Sequence, residues 1–221
     1  MKWISLISLI ACLMVGAGCH STERFTDPVL GPSYVPKNVF LEPGAWQLTL
    51  RRVAILPMAC DESDPVKVNG CETLQPILLT ELGKSQHFEC VILQPELLKK
   101  ISSRPRWSAS ERLPVDLLEM IGKETGCDAV LFAELSDYRP YSPLVIGWNI
   151  KLVELKTHKV LWAVDETFDA GESTVANGAR RFQMDQQQAN PVLSDSRQVL
   201  SSPRLFGKYT ARTVVGTLPD K

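Results

Sequence analysis

Six cysteines occur in the chain, and four of them, Cys60, Cys71, Cys90 and Cys127, fall in sequence patterned for folding. Cys60 and Cys71 flank a polar stretch, Asp61 to Gly70, between an expected strand and an expected helix. In an oxidising compartment a bridge there would close the loop and stabilise mainly by restricting the unfolded chain. A Cys60–Cys71 disulfide and two unpaired thiols are both compatible with the spacing. Cys90 and Cys127 stand at strand entrances, where cysteine also serves as a small buried apolar residue. Zinc would require paired close spacings, and none exists. Asp61-Glu62-Ser63-Asp64 gathers three carboxylates but lacks the Gly and terminal Glu of an EF-hand, so a solvated loop is expected. His20, His87 and His158 fall on a tether, a loop and a turn, with no GxSxG, HExxH, P-loop or GxGxxG to accompany them. These residue types point to no metal, no cofactor and no catalytic constellation, and a non-enzymatic protein is expected.

Asp137-Tyr138-Arg139-Pro140-Tyr141-Ser142-Pro143 is chemically the most suggestive segment. Tyr and Arg are favoured at protein–protein contacts, and two prolines would present Tyr138, Arg139 and Tyr141 rigidly. The competing reading is a turn whose tyrosines pack on the domain edge. Trp148 and Trp162 are expected as cross-strand neighbours on a buried hairpin face.

These residues must be positioned by regular elements, which begin at Leu48. Arg51 to Pro57 reads as a buried strand ended by proline. Leu74, Ile77, Leu78 and Leu82 recur at helical spacing, with Thr73 as N-cap, Pro76 in the first turn and Gly83 as the stop. Phe88 to Leu93 is a second strand, and a second helix runs from about Pro114 to Gly126. Asp128 to Ala133 is apolar on both faces and reads as a central strand. The period then changes to two. Ile146, Trp148, Ile150 and Leu152 alternate with polar or small partners, as do Val160, Trp162, Val164 and Phe168. Leu155 to His158 is short enough to join these as an antiparallel hairpin. After Gly171 the chain becomes polar until a helical patch from about Pro203 to Leu218. The expectation is a mixed α/β (α+β) fold in two or three layers: β-α-β-α-β, an antiparallel hairpin and a C-terminal helix.

The first eighteen residues read as an export signal. Lys2 precedes an apolar run from Trp3 to Gly18, too short to span a bilayer and ending in small residues. Cys19 follows at once, and then the chain turns polar. This resembles the lipobox of bacterial lipoproteins, with Gly16 where Leu is usual. Cys12 fits the box in letters but would leave a truncated apolar region, so Cys19 is the expected lipidation site. Several acyl chains would give stable anchoring. His20 in place of Asp after the cysteine favours, by the same resemblance, the outer membrane. The expected division is signal 1–18, Pro-rich tether 19–48, α/β domain 49–170, and polar segment with helix 171–221. The formal net charge of −1 excludes the marked basic excess of a dedicated nucleic-acid binder. It hides an acidic core and a mildly basic tail, with seven Lys/Arg against four Asp/Glu in residues 170–221.

Three stretches together carry a family resemblance: Val53-Ala54-Ile55-Leu56-Pro57, Gly126-Cys127-Asp128-Ala129-Val130-Leu131-Phe132, and Lys159-Val160-Leu161-Trp162. They resemble the α/β domain shared by the curli-secretion lipoprotein CsgG, the penicillin-binding-protein activator lipoprotein LpoB and the TolB N-terminal domain. His158 stands where that family has Gly, in a turn that calls for a left-handed backbone. The resemblance implies the scaffold and an envelope-associated lipoprotein. It does not imply a channel, because a pore of the curli type needs long inserted hairpins and the connections here are short. The functional expectation is a periplasm-facing adaptor, anchored to the outer membrane by its N-terminal lipid and binding an envelope protein such as a peptidoglycan synthase or secretion component. Self-association and an oligomeric curli-type export component are the alternatives.

Overall fold

The computed structural model describes residues 30–44, 50–114, 116–188 and 196–219, and the elements all belong to one unit, Gly31–Lys221. The export signal, Cys19 and residues 45–49 lie outside the described residues.

A six-stranded mixed sheet organises the unit. Its strands are β1 (Val39–Leu41), β2 (Arg52–Ile55), β3 (Glu89–Ile92), β4 (Ala129–Arg139), β5 (Val145–Glu154) and β6 (Val160–Asp169), in the order β1-β6-β5-β4-β2-β3. The helices are α1 (Pro65–Ser85), α2 (Pro95–Ser102), α3 (Leu117–Thr125), α4 (Ser173–Gln188) and α5 (Pro203–Val215), with a 3₁₀ turn at Ser196–Leu200. β2 is parallel to both β3 and β4, and β4-β5-β6-β1 is antiparallel. This is the expected mixed α/β fold, with its hairpin and its C-terminal helix.

Side-chain alternation along the central strands divides the interior into two layers. Val53 and Ile55 of β2 and Leu131 and Leu135 of β4 join Leu74, Leu78 and Phe206 in the larger core beneath α1 and α5. Ala54, Leu56, Val130 and Phe132 face the other way, onto Leu98, Leu117 and Ile121 of α2 and α3. A strand buried on both faces has no polar row, which is why β2 and β4 read as continuous apolar runs. At the start of β4, Asp128 accepts hydrogen bonds from the amides of Arg51 (2.9 Å) and Arg52 (3.0 Å). Gly126 before it takes a left-handed backbone, φ 61°, closing α3. His158 does take the left-handed conformation at the β5–β6 turn, with φ 60°.

Four expectations are corrected. The first helix starts at Pro65, not near Thr73, because the Asp64 carboxylate caps it, accepting from Val66 N at 2.8 Å and Lys67 N at 3.4 Å. Asp-Pro is the N-cap and N1 pair that ends the loop early, and Pro76 is therefore interior to α1. The polar stretch after Gly171 contains α4, whose Val175 and Ala179 are buried at helical spacing. Trp148 and Trp162 are both buried but do not face each other: Trp148 lies opposite Glu166, and Trp162 opposite Leu152. Instead each indole N–H is pinned to α5 or its end. Trp148 Nε1 donates to Thr210 Oγ1 and Trp162 Nε1 to Thr217 Oγ1, both at 3.0 Å. Thr210 lies within α5 and Thr217 just beyond its end, so the two hydroxyls tie both the helix and its terminus to the sheet. Thr210→Val keeps the shape of the buried side chain but strands the Trp148 donor. It is expected to cost about 1–3 kcal/mol, read as a lowered urea midpoint with unchanged slope.

The fourth correction concerns the segment expected as a tether across 19–48. Residues 39–41 are strand β1, paired with Trp162 to Val164 of β6. Tyr34 stacks edge-on against Phe168 with ring centroids 5.3 Å apart, and its amide donates to Thr174 O at 3.0 Å. What holds this segment is Glu166. It lies in the core-facing row of β6 with Trp162, Val164 and Phe168, and is only 5 % exposed. Its carboxylate accepts hydrogen bonds from the Tyr34 hydroxyl and from the amides of Lys37 and Asn38, the last at 2.6 Å. A buried carboxylate needs such partners, and among the described residues they come from the segment before β1.

Candidate interaction surface

The β4–β5 turn joins two long strands of eleven and ten residues. At its base, Tyr138 pairs with Ile146 across the ladder and is 8 % exposed, packed in the larger core. Burial pushes its hydroxyl pKa above the ordinary tyrosine value, with Tyr141 adding a smaller push the same way. Tyr138 is therefore the turn's anchor, and it also lines the hollow beside Tyr141. Arg139 secures the far side. Its Nε donates to Pro143 O at 2.6 Å, and its Nη2 pairs with Asp169 at 3.3 Å. Tyr141 stands 66 % exposed. Beside it, Pro140 and Tyr138 meet Pro65, Val66 and Asn69 at the start of α1, around a shallow, mainly apolar hollow of about 270 Å³. An exposed aromatic on a pinned turn loses little conformational freedom when it is covered, which is what favours tyrosine at interfaces.

A second concavity lies at the C-terminal ends of the parallel strands. The loop after β2, the segment 104–111 and Glu134 of β4 enclose a crevice there. It measures about 360 Å³ and is lined by Cys60, Glu62, Arg104, Arg106, Glu111 and Glu134, among others. Two ion pairs and a pair of serine hydroxyls engage its charged groups. Arg104 pairs with Glu111 at 2.7 Å and Arg106 with Glu62 at 3.2 Å. Glu134 accepts from the hydroxyls of Ser108 and, at 3.0 Å, Ser110. The exposed Asp61 is likewise taken up: hydrogen bonds from the Ser63 hydroxyl and amide hold its pKa below the usual carboxylate value.

The structure brings Cys60 and Cys71 together as neighbours, both as free thiols. Cys71 is buried in α1 beneath the crevice, with its thiol 3.4 Å from Ala59 O. Burial first, and Cys60 second, push its pKa far above the ordinary thiol value, so Cys71 is a poor nucleophile at neutral pH. Cys90 and Cys127 cannot pair without rearrangement. Strand β2 lies between β3 and β4, which separates the two by about two strand spacings, roughly 9–10 Å, beyond the reach of a disulfide. Among the described residues no group of three or more His, Cys, Asp or Glu is placed to hold a metal ion, and no helix is long and apolar enough to cross a membrane.

Glu166 is the functional residue that sequence reasoning passed over, and its signal was present. In the period-two row Val160, Trp162, Val164, Phe168, position 166 is the one polar interruption. A charged residue on the buried face of a strand calls for a partner from elsewhere in the chain.

No protein-family model and no curated protein matches the chain. Its structure is similar to those of several known chains. The PelC dodecamer from Paraburkholderia phytofirmans is 15% identical, with 76% of this chain and 91% of that chain covered, at a TM-score of 0.40. The lipoprotein GNA1162 from Neisseria meningitidis is 16% identical over 64% of this chain and 99% of its own, TM-score 0.39. The LpoB C-terminal domain from Salmonella enterica is 16% identical over 57% and 93%, TM-score 0.37.

Proposed function

We propose that this protein is a lipid-anchored, non-enzymatic adaptor of the bacterial cell envelope, which presents its α/β domain to a protein partner from the outer membrane, facing the periplasm. Cys19 is the acylated residue, and the segment before Gly31 is the leash. The observation that carries the adaptor reading is the β4–β5 turn. Tyr141 is exposed beside an apolar hollow, and Tyr138 and Arg139 fix the turn on which it stands.

The oligomeric export reading has less to support it. The hairpin connections, residues 140–144 and 155–159, are turns, whereas a barrel needs inserted strands of roughly nine to eleven residues.

The test is a photo-crosslinking amino acid in place of Tyr141, in whole cells. A single envelope protein should be captured, and capture should fall at least tenfold in an Arg139→Glu background, which replaces the contact with Asp169 by repulsion. Labelling with an alkyne analogue of palmitate should be lost in Cys19→Ser. Capture that is indiscriminate, or indifferent to Arg139→Glu, would sink the adaptor surface. Labelling that persists in Cys19→Ser would sink the anchor.

A further inference from the structure

Residues 33–36 run beside α4 and the C-terminal half of α5. Between them lies a groove of about 510 Å³ whose wall and floor include Val35, Gly178, Phe182, Tyr209, Arg212 and Thr213. That size is in the range of small-molecule sites. The groove is separate from the β4–β5 turn and from the crevice at the strand ends.

Its floor holds an unmet hydrogen bond. Tyr209 is 5 % exposed, and its hydroxyl is buried with no hydrogen-bond partner. Buried hydroxyls nearly always have one, so an orphaned one asks for an explanation. The hydroxyl also occupies space that only glycine leaves open, because a Cβ at Gly178 would meet it at 2.4 Å. A polar group is thus held, without a protein partner, where a bulkier residue on α4 would displace it.

The mouth of the groove is cationic. Arg212 is exposed and has no carboxylate partner among the described residues. Its guanidinium lies 5.8 Å from the centre of the Phe182 ring. Arg181 is tied down by Ser33 Oγ (2.9 Å) and Gly31 O (2.8 Å). Against these two arginines stands one acid, Asp185, so the groove carries a net positive charge with Arg212 as its available donor. Tyr209 and Arg212 are three residues apart, on one side of α5. Phe182 and Val35 supply apolar walls, and Val35 is 69% exposed.

We propose that this groove binds an amphipathic monoanion. The acceptor oxygens of its carboxylate, sulfonate or phosphate-ester head meet the Arg212 guanidinium and the Tyr209 hydroxyl. Its apolar body lies along Phe182 and Val35. A planar, multi-donor guanidinium suits an oxyanion, and the Phe182 face holds that guanidinium in place.

The probe is 4-phenylbutyrate, with its cationic counterpart 4-phenylbutylamine, titrated calorimetrically into the full chain in phosphatidylcholine nanodiscs. The carboxylate should bind saturably at one site and the amine should not. Arg212→Gln, a change at an exposed position, should weaken phenylbutyrate at least tenfold. Tyr209→Phe should weaken it three- to tenfold while leaving the melting temperature equal or higher, because it removes only the orphaned hydroxyl. A merely structural tyrosine would not move in these two directions at once. Equal binding of the amine, or unchanged affinity in Arg212→Gln, overturns the proposal. So does a chain that ignores phenylbutyrate and responds only when phosphatidylglycerol replaces phosphatidylcholine, which would assign the charge to a membrane surface.

Discussion

Replacing Glu166 with Ala is expected to release residues 31–41 from the sheet and to destabilise the protein by about 3 kcal/mol. The wild-type carboxylate is buried and accepts from Tyr34, Lys37 and Asn38. Without it, two backbone amides and a phenol keep their desolvation cost and lose their acceptor. The three residues of β1 bury too little to stay by themselves: Phe40 and Leu41 are largely exposed already. The measurement is amide hydrogen exchange, in which the amides of Tyr34, Lys37 and Glu42 should lose protection while those of β2 and β4 keep theirs. Undiminished protection at these positions would refute the assignment of Glu166 as the clasp.

The same contact makes stability depend on alkaline pH. Burial, and then the hydrogen bond to Glu166, push the Tyr34 hydroxyl from the ordinary value of 10.0 up to about 12. The folded state thus holds its proton more tightly than the unfolded chain does. The stabilisation is complete below about pH 10, where both states are protonated, and fades as pH rises to about 12. Tyrosinate absorbance should show Tyr34 titrating late in the wild type, alongside the buried Tyr138 and Tyr209, and the Tyr34 step should move back toward 10 in Glu166→Ala.

Gly147→Val is expected to cost about 3 kcal/mol, although valine is among the best strand formers and glycine among the worst. Gly147 lies opposite the bulge in β4, where the register shifts between Leu135 and Asp137. A Cβ at this position would meet Ser136 Oγ at 2.5 Å and Asp137 N at 2.7 Å. The second contact is with backbone, which cannot swing aside as a side chain can. The strand would have to slip or the bulge open, and either change disturbs Tyr138 and Arg139 at the base of the turn. Urea unfolding reports the loss of stability. In the crosslinking assay this variant should fall with Arg139→Glu. Wild-type stability in Gly147→Val would show that the bulge is not a fixed feature of the fold.

Much of the fold was legible because burial writes itself into periodicity. The apolar runs at Val53–Leu56 and Ala129–Ala133 announce strands covered on both faces, and the alternation from Ile146 to Phe168 announces a hairpin covered on one. The C-terminal helix carries its own cap, since Ser202 accepts from Leu205 N at 3.4 Å and Pro203 follows it. Where expectation failed, the decisive partner was distant in sequence. Pro76 reads as a helix start until Asp64 caps the helix three turns earlier. The region after Gly171 reads as polar coil, because α4 buries only a narrow stripe through Val175 and Ala179.

The candidate site divides along the same line. Residue type alone picked out Tyr138, Arg139 and Tyr141, but the strand ladder decided their roles. The alternation of side chains across β4 turns Tyr138 into the core and leaves Tyr141, beyond the ladder, in solvent. Thiol spacing allowed Cys60 and Cys71 to meet, and only the docking of α1 over β2 made them neighbours. The Glu166 clasp, the two indole–threonine pins and the groove above Tyr209 depend on contacts spanning 31 to 132 residues. Local sequence sets period, capping and turn chemistry, because those act within a few residues. Which buried polar group meets which partner is settled only when the sheet brings distant segments into a common interior.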